Sequence, residues 1–336
     1  MRKNSREKSV HLCIAAVISG RKEFMKRLAQ GKIHERISAI PNAWYPAYII
    51  RGNEKNMMID AGVNLLGPQY LASIKETIGD ARLLHYLFLT HSHYDHIGSA
   101  SYLKRHVPGL KVGAHERLAG LLRKPSVLEM MNRLSGNHVE LSGQNAANED
   151  LTMHPFEISF HLKQGDEFNL GGLTCRVYET PGHTRDSLAF YFPEIETLFP
   201  GESCGVVQGE AGDIIQVEFL SSYKDYIDSL NLMISLEPEM ICIGHGLVLT
   251  GNDAKEFLRC SLEETFRYRE MIETYLNEAN GDVEKATRNM AHQEYDIKGG
   301  IFQERTAYIT NLAAQVSHIA GIQGQGVKPE TNERIL

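Results

Sequence analysis

Residues 90–98 read Thr-His-Ser-His-Tyr-Asp-His-Ile-Gly, THSHYDHIG in one-letter code. Four groups able to bind first-row metals, His91, His93, Asp95 and His96, fall within six positions. Imidazole and carboxylate are the ligand types of zinc and its neighbours. The run before them, His85–Thr90 (HYLFLT), is short and apolar and fits a buried strand, so the cluster sits at a strand end. On an extended loop alternate side chains point the same way, which aims His91 and His93 together. Asp95 and His96 turn toward a neighbouring position as the chain enters a helix. One loop thus feeds two adjacent metal positions. Four titratable groups buried together without a cation would be costly.

Outward from this loop the pattern alternates strands and helices. Ala47–Arg51 and Asn56–Asp60 read as a hairpin across the polar turn Gly52–Lys55. A helix is predicted from Pro68, with Leu71, Ile74 and Ile78 on one face, and another over Ser99–His106. Lys111–Ala114 is a short strand. Glu116–Leu134 reads as a helix broken near Pro125, whose many Leu and Met residues either pack on the core or lid an apolar pocket. Gly136–Asp150 has loop composition. Strands resume at Ser159–Leu162, Glu167–Leu170, Leu173–Glu179, Ser187–Phe192, Leu198–Pro200 and Met240–Ile243, with a helix over Tyr223–Leu236. After Gly246 the texture turns helical. The predictions are Ala254–Asn280, with Leu258, Leu262, Phe266, Ile272 and Leu276 on one stripe, then Val283–His292 capped by Asp282, then Gln303–Ala320 with Ile309, Leu312, Val316 and Ile319 inward. Two packed sheets with helices outside suit this order better than one parallel sheet.

The chain has 336 residues, 42% hydrophobic and 23% charged, a globular composition able to bury a sizeable core. Its 35 basic and 42 acidic residues give a net charge of -7. With no clustered basic run, nucleic acid is not an expected partner. No apolar run is long enough to span a bilayer. Val10–Gly20 follows four basic residues in the manner of a signal peptide, but it lacks a clean small-x-small cleavage site and Arg21–Arg27 is strongly charged. The expectation is therefore a segment packed on the body of a cytoplasmic protein. The five cysteines, Cys13, Cys175, Cys204, Cys242 and Cys260, are scattered, which argues against a disulfide framework.

Two further histidines stand at strand ends beside glycine: His183 in Thr180-Pro-Gly-His-Thr184 and His245 in Gly244-His-Gly246. The ordered series MIDAG (58–62), THSHYDH (90–96), TPGHT (180–184), FPGES (199–203) and GHG (244–246) resembles the metallo-β-lactamase superfamily over roughly residues 36–250. The resemblance implies an α+β fold, the αββα sandwich, with its metal site at one edge between the sheets. Residues 1–35 would be an N-terminal extension, 36–250 the catalytic domain, 251–322 a helical C-terminal cap and 323–336 a flexible tail. The resemblance also implies that His91, His93 and His183 hold one metal, that Asp95, His96 and His245 hold a second, and that Asp60 supports them. The family usually carries Asp where this chain has Glu202. The added methylene leaves Glu202 either bridging two metals or binding one.

Within that family, the body plus helical cap resembles glyoxalase II and the thioesterase-like branch of quinolone-signal synthesis. The implied cofactors are two divalent metal ions, zinc first, iron or manganese otherwise. The implied reaction is hydrolysis of a small ester or thioester. A bound water with its pKa lowered to about 7 would attack the carbonyl, with Asp95 orienting it as the catalytic carboxylate. Thr184 and Ser187 are read as holding the loop, and Arg185 as a cation that could meet a substrate anion. The alternatives are a non-haem iron redox enzyme resembling persulfide dioxygenases, and a signalling or partner-binding protein with weak hydrolase activity. A homodimer is compatible with either class. The lack of a tyrosine shortly after Glu202 weakens a lactonase reading, and the acidic balance disfavours the family's nucleases.

Overall fold

The structure is a computed structural model that describes residues 26–137, 149–209 and 214–324. Val10–Gly20, most of the loop read over 136–150 and nearly all of the tail read over 323–336 lie outside the described residues.

Two seven-stranded sheets form the centre. The first runs in the order Gly31–Lys32, Ile37–Ile40, Ala47–Arg51, Asn56–Ile59, Leu84–Phe88, Lys111–His115 and Phe160–Leu162. Its first four strands pair antiparallel and the rest parallel. The second sheet runs Lys26–Leu28, Leu247–Thr250, Met240–Cys242, Thr197–Phe199, Leu188–Phe192, Thr174–Glu179 and Glu167–Asn169. Strands Val206–Gln208 and Ile214–Gln216 pair separately.

Both faces of each sheet are covered, which is why the central strands read as nearly unbroken apolar runs. In Ala47–Arg51, Tyr48 and Ile50 join the core between the sheets, while Ala47 and Ile49 face the outer helices. Met57 and Ile59 point inward and Met58 outward by the same two-residue period. An aromatic cluster fills the space between sheets, with Phe88 4.7 Å from Phe168 and 5.7 Å from Phe190, ring centre to ring centre. The helices Gly67–Ile78, Ala100–His106 and Pro125–Gly136 cover the first sheet. Tyr223–Ser235 and the C-terminal helices Asn252–Glu278, Val283–Met290 and Arg305–Ile322 cover the second. The layering is α, β, β, α, as the sequence pattern implied.

Two details depart from the sequence reading, and one alternative it left open is decided. Lys26–Leu28 and Gly31–Lys32, inside the segment read as an extension, each add an edge strand to a sheet. Val127, Leu128 and Met131 are buried in the outer core, so this part of the broken helix packs on the body rather than lidding a pocket. Phe266 is 44% exposed, whereas Thr265 is fully buried. Steps of four residues drift by about 40° each around a helix of 3.6 residues per turn, so Phe266 lies about 80° round from Leu258, at the edge of the apolar stripe. Among the described residues, Cys175, Cys204 and Cys242 are buried free thiols.

Candidate metal centre

Five strand ends converge at one edge of the sandwich. Ile59 leads into Asp60, Phe88 into the His91 loop, Glu179 into His183, Phe199 into Glu202 and Cys242 into His245. Hydrogen bonds lock these ends together, both within the second sheet and between the two. Leu188 N–H donates to the Thr90 carbonyl at 2.7 Å, and Gly244 N–H to the Gly201 carbonyl at 3.1 Å. Tyr48 Oη donates to the Ile243 carbonyl at 2.5 Å.

The ligand atoms of His91, His93, His183 and Glu202 lie within 4.8 Å of one another, and so do those of Asp95, His96 and His245. Every residue named from the sequence as a metal ligand therefore enters one of two adjacent groups. Asp60 lies just behind them, 4% exposed and in the left-handed region at φ 60°. It accepts from Thr90 N at 2.8 Å, from Thr90 Oγ1 at 2.9 Å and from His96 Nδ1 at 2.9 Å. Strain of this kind persists where the surroundings over-determine it, here three donors on one carboxylate.

The outer nitrogens of three rings decide their tautomers. His183 Nδ1 lies 2.9 Å from the Glu218 carbonyl and His245 Nδ1 lies 2.6 Å from the Trp44 carbonyl. A carbonyl only accepts, so each Nδ1 carries the proton. Nδ1 of His96 donates to Asp60 in the same way. In the neutral ring each Nε2 is then a bare lone pair. Those lone pairs face Glu202: Oε2 is 2.7 Å from His183 Nε2, 3.5 Å from His91 Nε2, 3.6 Å from His93 Nδ1 and 4.0 Å from His96 Nε2. Oε1 is 3.2 Å from His245 Nε2, which is also 3.5 Å from Asp95 Oδ2. His91 Nε2 and His96 Nε2 are buried without a hydrogen-bond partner.

Acceptors facing acceptors require positive charge between them. The titration shifts carry the same message. Burial opposes a charged His183, yet the charge of Glu202 and its hydrogen bond outweigh burial and raise the ring to about 9. His245 is likewise raised against burial by Asp95 and Glu202. Burial works to raise Glu202, but His183, His245 and His91 hold it well below the usual carboxylate range. The innermost ring, His91, is pushed down by burial and then by His96. The residues present therefore fit divalent metal ions, with second partners already orienting the rings.

The family model for the metallo-beta-lactamase superfamily matches residues 46–245. The chain belongs to the metallo-beta-lactamase superfamily. Similar proteins include a metallo-beta-lactamase fold-containing protein of Sulfurisphaera tokodaii, 27% identical over 227 residues, 65% of this chain and 78% of that one. An atrochrysone carboxyl ACP thioesterase of Aspergillus fumigatus is 24% identical over 60% of this chain, which spans only 37% of that protein. A hydroxyacylglutathione hydrolase of Rhodopseudomonas palustris is 29% identical over 117 residues, 35% of this chain and 32% of that one. Among solved structures, a metallo-beta-lactamase family protein of Thermus thermophilus superposes with a TM-score of 0.59 over 90% of this chain and 93% of that one, at 18% identity.

In this superfamily member the departure at Glu202 is accommodated by geometry, since one carboxylate oxygen faces the first donor group and the other faces His245 of the second. Glu202→Asp draws the carboxylate back by one C–C bond, about 1.5 Å. The expected result is a change in metal stoichiometry, read by elemental analysis, or in turnover. If neither moves, Glu202 is not a ligand.

Of the neighbours singled out in the sequence, Thr184 and Ser187 hold the loop, with their hydroxyls 2.7 Å apart, and Arg185 is exposed. Sequence reasoning missed Trp44 and Phe302. They are 63% and 50% exposed, their rings meet edge to face at 6.3 Å, and the Trp44 carbonyl accepts from His245 Nδ1. Glu218 was missed as well, although its carbonyl orients His183. No motif marks any of the three.

Proposed function

We propose that this chain is a metal-dependent hydrolase of esters or thioesters, holding two divalent ions, zinc first and iron or manganese otherwise. The observation that carries this reading is the meeting of two donor groups on the Glu202 carboxylate. His91, His93 and His183 would hold one ion and Asp95, His96 and His245 the other, with Glu202 between. When bound, such ions supply a nucleophile from water at neutral pH and polarise a carbonyl.

The chain's own groups do the rest. Glu202 and Asp95 bring negative charge to the rings, and Asp60, Glu218 and Trp44 fix the ring directions. Asp95 is the best-placed acceptor for a proton of the attacking water, since its side chain is 20% exposed at the rim. The exposed pair Trp44 and Phe302 offers an apolar rest for the acyl group of the substrate. The thioesterase and hydroxyacylglutathione hydrolase relatives support the thioester class.

The test is a panel of thioesters, esters, lactones and phosphodiesters with zinc-, iron- and manganese-loaded protein. Thioesters or esters of apolar acids should be hydrolysed, and a chelator should stop the reaction. Phosphodiester cleavage alone, or oxygen uptake on a persulfide by the iron form, would replace this reading.

A further inference from the structure

The C-terminal helix Arg305–Ile322 buries Leu312, Val316 and Ile319 as its pattern requires. It also withdraws three polar side chains at i, i+4 and i+7, which one helical face brings together. These are Asn311, Gln315 and His318, with Gln315 only 2% exposed. All three bond to one short stretch, residues 217–223, that connects the strand ending at Gln216 to the helix starting at Tyr223. Asn311 Nδ2 donates to Glu218 Oε1 at 3.0 Å, and Gln315 Nε2 to the Val217 carbonyl at 3.0 Å. Tyr223 N–H, which has no partner within its own helix turn, donates to His318 Nε2 at 2.9 Å.

The other side of the same stretch holds the His183 loop. The Glu218 carbonyl accepts from His183 Nδ1, and the Gly182 carbonyl accepts from Ser221 N at 3.0 Å and Ser222 N at 3.2 Å. Val217 and Glu218 contribute consecutive carbonyls. The first is held by the helix and the second orients the histidine. Outside a strand ladder or a helix, nothing in the local backbone fixes their directions.

We propose that Asn311, Gln315 and His318 are positioning residues for the metal ligand His183, so that the C-terminal helix is part of the metal site's support although it touches no ligand. This inference rests on the metal-dependent reading above. It explains why polar groups lie on the buried side of an otherwise apolar helix. Partners behind a ligating histidine typically change metal affinity by about 10–100-fold.

The test uses the full chain, stripped of metal and titrated with zinc against a chelator, together with the visible spectrum of the cobalt form. Gln315→Met keeps volume and removes the donor, as does Asn311→Leu. Each should weaken zinc binding by about 10–100-fold and alter the cobalt bands, while far-ultraviolet circular dichroism stays parental. Ile322→Ala, at the half-exposed end of the same helix, makes none of these bonds and should leave both readouts unchanged. If Gln315→Met does not fold, the half-buried Asn311→Leu and His318→Leu decide by the same criterion. Folded variants that bind zinc within twofold of the parent overturn the inference. A parent chain that takes up no zinc, iron or manganese overturns the metal reading itself, so the two failures are distinguishable.

Discussion

His183→Ala is expected to lower turnover on the parent's best ester or thioester by at least ~10³-fold, since losing an ion that stabilises transition-state charge costs several kcal/mol at 1.36 kcal/mol per decade. One metal equivalent should leave with it. The fold should persist with a loss of about 1–3 kcal/mol, the cost of leaving Glu202 and the buried Glu218 carbonyl without the ring's hydrogen bonds. Steady-state rates, elemental analysis and urea unfolding check the three statements. A rate within tenfold of the parent, or two metal equivalents retained, would contradict the ligand assignment of His183.

That such a prediction can be made reflects how the site is written in the chain. His91, His93, Asp95 and His96 are neighbours in sequence, His183 and His245 each follow a strand beside glycine, and Glu202 stands in the FPGES segment of the motif series that resembles the family. The αββα layering was legible for the same reason, since runs buried on both faces look apolar throughout. Lys26–Leu28 escaped notice because its sequence, KRL, continues a charged run rather than an apolar one, and Ile37–Ile40 was not among the predicted strands. The sequence reading ends this helix at His292, whereas the structure continues it as a π turn over Ala291–Ile297, whose wider hydrogen-bond register leaves no mark on hydrophobic spacing.

Trp44, Glu218, Asn311 and Gln315 were invisible for a different reason. Their roles come from contacts between residues 35 to 201 positions apart, and one chain's residue types do not encode such pairings. Gln315 and His318 even argued for exposure, since polar side chains on a helix usually face water. Gln315 is buried and His318 partly so, each bonded to a backbone group of residues 217–223.

The stretch that receives those bonds also explains the second large effect. Gly182→Ala is expected to destabilise the fold by about 3–5 kcal/mol, a large share of the roughly 5–15 kcal/mol that holds a typical domain together. Gly182 sits at φ 129°, where L side chains are strained, and an added Cβ would lie 2.3 Å from Tyr226 N and 2.4 Å from Tyr226 Cα. These are backbone atoms in the first turn of a helix whose Ser222 cap accepts from Asp225 N, and Tyr226 itself is fully buried. Neither side can yield without breaking the bonds from Ser221 and Ser222 to the Gly182 carbonyl. The loop must then lift, and it carries His183 with it. Stability and zinc affinity should therefore fall together in Gly182→Ala, whereas His183→Ala loses the metal and keeps the fold. Urea unfolding with and without zinc separates the two patterns. A Gly182→Ala protein less than about 1 kcal/mol below the parent would mean that the close approach of the loop to Tyr226 is not what seats the histidine.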